Sequence, residues 1–292
     1  MIASLARPVW LRTATILYVA AFLVFLFLPL VIVAAFAFNN APYPAPPWRG
    51  FTLDWFLGNE SSGRLGLFHD TELLGSIWTS IIVASWVTAL SVAVGAANAF
   101  LMERYRFPGK QALSVLMLTP LVIPGVILGI SILSLSSRIA ELADDLFGLE
   151  IDSLRPGLPL VVLGQFSYIA TIATLMISAR LKRFDRTLEE AALNLGASHV
   201  AVLRTITFPY LRPALIGSAA ISFLMSFENF NTTLMLVGAD PPLTVMMYGR
   251  MREGASPVLN AVSLFLMLAS AILALSLMRG RSRSARPPTA LS

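Results

Sequence analysis

Six stretches of this chain are apolar for long enough to cross a bilayer, and nothing else in the sequence restricts its fold as much. A spanning helix needs about 20 mainly apolar residues. The candidates run over about 13–38, 74–102, 111–137, 157–179, 210–238 and 257–278, each bounded by charges, Pro or Gly. Composition agrees: 57% of residues are hydrophobic and 13% charged, where a soluble domain carries about 25% charge. The reading is an all-α, polytopic membrane protein with six transmembrane helices. The first stretch has the look of a secretory signal, with Arg7 and Arg12 ahead of it and Ala35-Phe36-Ala37 resembling a cleavage site. Its apolar part is about 25 residues, against about 7–15 for a signal sequence, so it reads as a retained helix.

Charge sets the orientation. Lys and Arg accumulate in cytoplasmic loops. The N-terminus has Arg7 and Arg12. The second-to-third loop has Arg104, Arg106 and Lys110, and the fourth-to-fifth loop has Arg180, Lys182, Arg183, Arg186, Arg204 and Arg212. The tail has Arg279, Arg281, Arg283 and Arg286. Those loops hold fifteen of the 21 basic residues, and the alternate loops hold six, Arg49, Arg64, Arg138, Arg155, Arg250 and Arg252. Most acids lie on the opposite side. Both termini are therefore expected in the cytoplasm. Residues 1–12 read as a cytoplasmic N-terminus and 13–280 as a single transmembrane domain. Residues 281–292 read as a disordered basic tail near anionic headgroups. Outside, "NNAPYPAPPWRG" suggests an irregular packed segment. Ile139, Leu142, Leu146 and Leu149 are spaced for a short helix lying at the outer surface.

The segment Thr187–Pro213, "TLEEAALNLGASHVAVLRTITFPYLRP", is the least greasy part of the cytoplasmic side. Thr187 and Glu190 form a capping-box pattern. Leu188, Ala191, Ala192 and Leu195 fall on one narrow stripe. Gly196 ends the turn, Ser198 caps a second short helix, and Pro209 closes that helix before the fifth span. A helix, a glycine corner and another helix follow. Two alanines make the stripe a poor grip on lipid and a good fit to a protein groove, with an interfacial amphipathic helix as the plain alternative.

Glu190-Ala191-Ala192, three residues, Gly196, nine residues, and Ile206-Thr207-Phe208-Pro209 resemble the EAA loop of ABC importer permeases, E-A-A-x3-G-x9-I-x-L-P. The one departure is Phe208 for Leu. "WTSIIVASWVTALSVAVGAANAFLMERYRFPGK", "TPLVIPGVILGIS" and "GASPVLNAVS" resemble segments of the spermidine/putrescine-type permeases, and the resemblance runs from the first span to about residue 278. It implies a type I ABC importer permease (MetI-like) fold in a bacterial inner membrane, here the second permease subunit of a polyamine-type system. The implied partners are a homologous permease, two ATPase subunits and a periplasmic substrate-binding protein, within the lipid membrane and without nucleic acid. Residues 180–209 would be the coupling loop, with Glu189, Glu190, Ala191, Ala192, Leu195, Gly196, Ile206 and Pro209 carrying contact to the ATPase.

Glu228 is the one acid well inside an expected span, in "MSFENFNTTLM". Placing a charge there costs about 2.5–3.5 kcal/mol on insertion scales, so it should face a cavity or a partner. With Phe227, Asn229, Asn231 and Pro124 it forms the candidate substrate pathway: the carboxylate for an amine or guanidinium, with the phenyl faces of Phe223, Phe227 and Phe230 for cation–π contact. The alternative is hydrogen-bond glue to the partner permease, through Asn and Thr side chains. Polyamine permeases of this type often carry a second acid near this place, where this chain has Asn229. In the third span, Pro120, Pro124, Gly125 and Gly129 disrupt the helix near mid-membrane, tolerable where freed carbonyls are buried or meet water.

Several activities are excluded. The chain has no cysteine and two distant histidines, His69 and His199, so disulfides, Cys metal sites and a histidine triad are not expected. "FPGKQ" around Lys110 lacks the glycine spacing and hydroxyl of a phosphate loop. The chain is thus expected to be a non-enzyme with no cofactor of its own, ATP and Mg being bound by the partner ATPase. The same importer class acting on an opine, phosphonate or ferric complex is a second reading. An ion-gradient secondary transporter is another, though it should show more intramembrane acids or an inverted repeat. A membrane scaffold would need neither Glu228 nor a broken third span.

Overall fold

A computed structural model of the chain describes residues 9–59, 63–254 and 256–284, with side-chain surroundings up to Ile272. Arg7, Glu60, Arg286 and the Pro287-Pro288 pair lie outside these residues. Among those described, the structure is helical, apart from one bridge between Asn39 and Phe51. The helices are α1 (Val9–Phe36), α2 (Asp54–Leu57), α3 (Thr71–Arg104), α4 (Lys110–Val122), α5 (Gly125–Phe147), α6 (Leu158–Leu181), α7 (Thr187–Asn194), α8 (His199–Val202), α9 (Phe208–Phe227), α10 (Asn231–Leu236), α11 (Leu243–Glu253) and α12 (Val258–Ser284). Among the described residues, five helical stretches are long and apolar enough to cross a membrane: Val9–Phe36, Thr71–Arg104, Gly125–Phe147, Leu158–Leu181 and His199–Phe227. The expected six spans fall on α1, α3, α4–α5, α6, α9–α10 and α12. The last of these continues through residues 281–284, where the tail was expected to begin.

The described residues form two compact units, those up to Leu74 with those from Gly249 on, and residues 75–248. In the first, α1 packs against α12 and has no buried residue. The segment between α1 and α2 is irregular and packed, as its Pro and aromatic content suggests. The Asn39 side chain receives Arg49 N–H (2.8 Å) and donates to Pro47 C=O (3.3 Å), and Trp55 Nε1–H donates to Asn39 C=O (2.8 Å). Phe38 stacks between Phe51 and Phe56, each 5.2 Å away.

In the second unit α6 is the central helix. Val83 and Val87 of α3, Leu160, Val161 and Ile169 of α6, and Leu236 of α10 form its apolar core. Lipid tails are as apolar as these side chains, so association depends on close fit instead of exclusion from water. Small residues supply the fit. A Cβ on Gly95 of α3 would sit 2.8 Å from Ala173 Cβ and 2.9 Å from Thr174 N, and one on Gly164 would strike Leu236 Cδ1.

Four expectations need correction. The short outer helix over 138–156 is instead the continuation of α5 to Phe147. Nothing between Gly125 and Phe147 breaks a helix, and Gly148 ends it at φ +61°, its N–H bonding Asp144 C=O at 2.8 Å. The third span breaks at Ile123-Pro124, as its prolines foretold, but Pro120 sits inside α4 without ending it. The fifth span also breaks, at Glu228–Phe230. Last, Pro209 does not close the helix that Ser198 begins. Residues 199–227 run on as one helical stretch, through a π-helical turn at Leu203–Thr207. A proline ring clashes with the carbonyl four residues back, and a wider turn just before Pro209 accommodates it.

Candidate functional site

The segment Thr187–Pro213 has the expected helix–corner–helix shape with different internal bonds. The capping box is absent: Thr187 is the first residue of α7, not its cap. The cap position, Arg186, makes no side-chain bond to the helix; Asp185, one residue earlier, accepts from Thr187 N–H (3.0 Å) and Thr187 Oγ1–H (2.8 Å). A carboxylate is a stronger acceptor than a hydroxyl, so the threonine serves as donor. The bond from the Thr187 backbone, then that from its hydroxyl, hold the Asp185 carboxyl below its ordinary range. Gly196 has φ +89°, a conformation that costs glycine little and other residues more. Ser198 caps α8, accepting from Ala201 N–H at 3.2 Å.

The two glutamates of α7 diverge. Glu189 turns inward, where its carboxylate meets the Arg104 guanidinium through two contacts of 2.8 Å and accepts the Thr207 hydroxyl. Glu190 faces out, as do Leu188, Ala191, Gly196 and Leu195, the last 88% exposed. Ala192 is half-buried. Ile206 packs behind the loop against Leu181, Phe184 and Leu211, and Pro209 is exposed at the start of α9. Of the eight expected coupling residues, Glu189 and Ile206 thus hold the loop in place, while Glu190, Ala191, Leu195 and Gly196 offer a free surface.

The candidate pathway is built where two helix breaks meet. Gly125 and Gly129, just after the break at Pro124, lie against α10. A Cβ on Gly125 would come within 3.2 Å of Asn231 Cβ, and one on Gly129 within 2.8 Å of Met235 Cβ. Thr232 Oγ1 donates to Gly125 C=O at 3.3 Å. That bond ties the first turn of α5, just past the break, to α10. Asn231 thus lies beside Gly125, the residue after Pro124, and is exposed.

Glu228 and Asn229 also diverge. Glu228 is exposed at the C-cap of α9. Asn229 is enclosed: its Nδ2 donates to Tyr168 Oη at 2.5 Å, and its Oδ1 accepts from Thr233 N–H (3.2 Å) and Oγ1–H (2.9 Å). The chain of bonds continues, as Gln165 Nε2 donates to Thr233 Oγ1 at 2.8 Å and the Ser226 hydroxyl donates to Gln165 Oε1. Asn229 and Thr233 therefore bond within this chain, to Tyr168, to Gln165 and to each other. The phenyl rings do not share one face: Phe223 stacks on Phe227 at 6.0 Å and Phe230 meets Tyr248 at 4.9 Å. A cleft of about 500 Å³ lies away from Glu228, between Glu103, Lys110, Ser114, Thr171, Ser178 and Lys182.

Sequence reasoning missed Gln165, Tyr168, Ser226, Arg104 and Thr207. Gln165 stands inside an otherwise apolar span, which was the available signal, since polar side chains there are expensive unless paired. Arg104 is indistinguishable from other loop charges in a charge census, and Thr207 occupies an unrestricted position of the EAA pattern.

Both sites lie within residues 89–282, which match the family described as "Binding-protein-dependent transport system inner membrane component". This chain belongs to that family. It is 27% identical over 269 residues to the spermidine/putrescine transport system permease protein PotC of Haemophilus influenzae, covering 91% of this chain and 95% of that one. The putrescine transport system permease protein PotI of Escherichia coli K12 is 26% identical, covering 82% and 80%. The sulfate transport system permease protein CysT of Salmonella typhimurium is 28% identical, covering 70% and 76%. Among solved structures, a bacterial ABC transporter involved in the import of the acidic polysaccharide alginate superposes with a TM-score of 0.72 at 17% identity, over 95% of this chain and 96% of that one. The MetNI methionine ABC transporter gives 0.51 at 15% identity, over 73% and 94%. The fold is that of an ABC importer permease. The chain is a multi-pass inner-membrane component of an importer, a transport subunit and not an enzyme, and it works within a multi-component system that includes a binding protein.

Proposed function

We propose that this chain forms half of the substrate pathway of an ATP-driven importer for a small cationic amine, and that α7 with its glycine corner seats in a groove of an ATPase subunit. The observation that carries the coupling role is the outward face of α7. Glu190, Ala191 and Leu195 are exposed, while Glu189 fixes the helix from behind. An apolar face with small residues, held rigidly and left uncovered, fits a protein groove better than lipid. On this reading a second, homologous permease completes the pathway. Two ATPase subunits bind ATP and Mg on the cytoplasmic side, where both termini of this chain lie, and a periplasmic binding protein delivers the solute.

The substrate class rests on Glu228, an exposed carboxylate at the C-cap of α9, and on the names of the relatives that carry spermidine and putrescine. Asn229 favours a narrower version. Because its amide is committed to Tyr168 and Thr233, Glu228 is the one acid that the fifth span offers, which suits a solute with a single charged head.

The test is purification of the chain with its neighbours under mild extraction, followed by reconstitution in proteoliposomes. An ATPase should co-purify and its activity should rise with loaded binding protein. Uptake of putrescine should exceed that of sulfate. Loss of the ATPase under every mild condition would overturn the importer assembly, and preference for sulfate would overturn the substrate class.

A further inference from the structure

The coupling helix is tied to two spans by a single carboxylate. Glu189, in the first turn of α7, receives both terminal nitrogens of Arg104 at 2.8 Å, and Arg104 is the last residue of α3. The same carboxylate accepts the hydroxyl of Thr207, a fully buried residue at the base of α9. The pair is well shielded, with side-chain exposures of 15% for Arg104 and 18% for Glu189. Arg104 is also fixed from a third side, lying 5.3 Å over the ring of Phe184, which itself packs edge-on to Tyr210. One further bond runs alongside, from Arg186 Nη2 to Glu103 C=O at 2.6 Å.

A two-pronged guanidinium–carboxylate contact restrains orientation as well as distance. With the hydroxyl of Thr207 as a third attachment, α7 cannot tilt or slide against the ends of α3 and α9 without exposing or unpairing a shielded charge. Glu190, one residue on, points the opposite way and shares none of these bonds. We infer that Arg104 and Glu189 form a latch that makes the coupling helix a rigid extension of α3 and α9, so that movement of the ATPase groove reaches the spans instead of being absorbed by the loop. They are positioning residues. The inference rests on the coupling role proposed above and adds how the force is transmitted.

Reconstituted importer with its partner permease, ATPase and binding protein provides the test. The measurement is MgATP hydrolysis with and without saturating binding protein as purified, which needs no knowledge of the solute. Arg104→Glu and Glu189→Arg alone should still retain the ATPase on purification, but stimulation by binding protein should fall about tenfold, and the double exchange Arg104→Glu/Glu189→Arg should recover it to within about threefold of the native chain, because the coupling lives in the pair. A residue that merely supports the fold would not be rescued by the exchange. Stimulation that stays within twofold in both single variants, or a double variant no better than the singles, overturns the latch. Should the reversals fail to assemble, Glu189→Gln keeps the shape and an acceptor for Thr207, and an unchanged stimulation in that variant overturns the latch equally. Failure of the coupling role itself looks different: Glu190→Lys would then be harmless, whereas failure of the latch alone leaves Glu190→Lys damaging and the reversals harmless.

Discussion

Neighbouring residues in this chain carry opposite assignments, and substitutions should separate them. Gly196 sits at φ +89° with nothing within 4 Å of where a Cβ would lie. Gly196→Ala therefore meets no steric clash and bears only the strain of the left-handed conformation, about 1 kcal/mol. The protein should insert and assemble normally, while uptake per ATP hydrolysed falls, because the corner that aims α8 away from α7 is changed. Normal coupling in both Gly196→Ala and Glu190→Lys would remove α7 from the ATPase interface. At the other site, Asn229→Ala strips partners from Tyr168 and Thr233 and should destabilise the protein by about 1–3 kcal/mol. Glu228→Gln should leave melting unchanged and reduce uptake of cationic solutes severalfold. If every cationic solute is taken up as before, Glu228 is structural. The sequence pattern did reveal Glu228 as unusual, since a lone acid in an apolar run is conspicuous. It did not reveal that Asn229 would be enclosed, because which of two adjacent side chains faces inward depends on where the helix stops.

That stopping point belongs to the elements. The break in the third span was legible because Pro124 cannot continue a helix. The break in the fifth has no such signal, as Glu228-Asn229-Phe230 contains neither Pro nor Gly. There the Asn229 side chain takes the N–H of Thr233 at 3.2 Å, a local bond that competes with the helical ladder. Such a bond is visible only once α6 brings Tyr168 and Gln165 to the same place. For a related reason α11 was not foreseen: its residues are too polar for a span, and its start is fixed by a distant contact, Leu243 N–H to Ser80 Oγ at 2.8 Å. The pairing of the two breaks is testable through Gly129. An added Cβ would press to 2.8 Å on Met235 Cβ and 3.2 Å on Thr232 C=O, so Gly129→Ala should part α5 from α10 and lower stability by about 1–3 kcal/mol. Gly75→Ala, on a helix with open space around it, should be neutral or stabilising by up to about 1 kcal/mol. Equal melting shifts in the two variants would mean that α5 and α10 are not closely packed.

For the molecule as a whole, the sequence made the membrane class and the helix–corner–helix shape of Thr187–Pro213 legible, while long-range polar links such as Asp70–Arg250 were not, because the partners are 180 positions apart. That link makes global stability depend on pH in a defined direction. The Asp70 side chain is 3% exposed, accepts Leu73 N–H at 3.0 Å, and meets Arg250 through both guanidinium nitrogens. Burial by itself would push the Asp70 carboxyl up, but the hydrogen bond from Arg250, that from Leu73 and the Arg250 charge outweigh it and hold the group below its ordinary value of 3.8. A carboxyl depressed in the folded state binds fewer protons there than in the unfolded chain, so its contribution is complete above the unfolded value and is lost as pH falls through the folded one. Melting in detergent should accordingly be steady from neutral pH down to about pH 5 and then fall steeply toward about pH 3. Asp70→Asn should melt lower at neutral pH, by about 1–3 kcal/mol in stability, since the Arg250 charge loses its best acceptor. It should also show a shallower decline on acidification, so that the native and variant curves converge at low pH. Parallel curves, with the same difference at pH 7 and at about pH 3, would mean that Asp70 titrates alike in the folded and unfolded protein and that its pairing with Arg250 does not set the acid response.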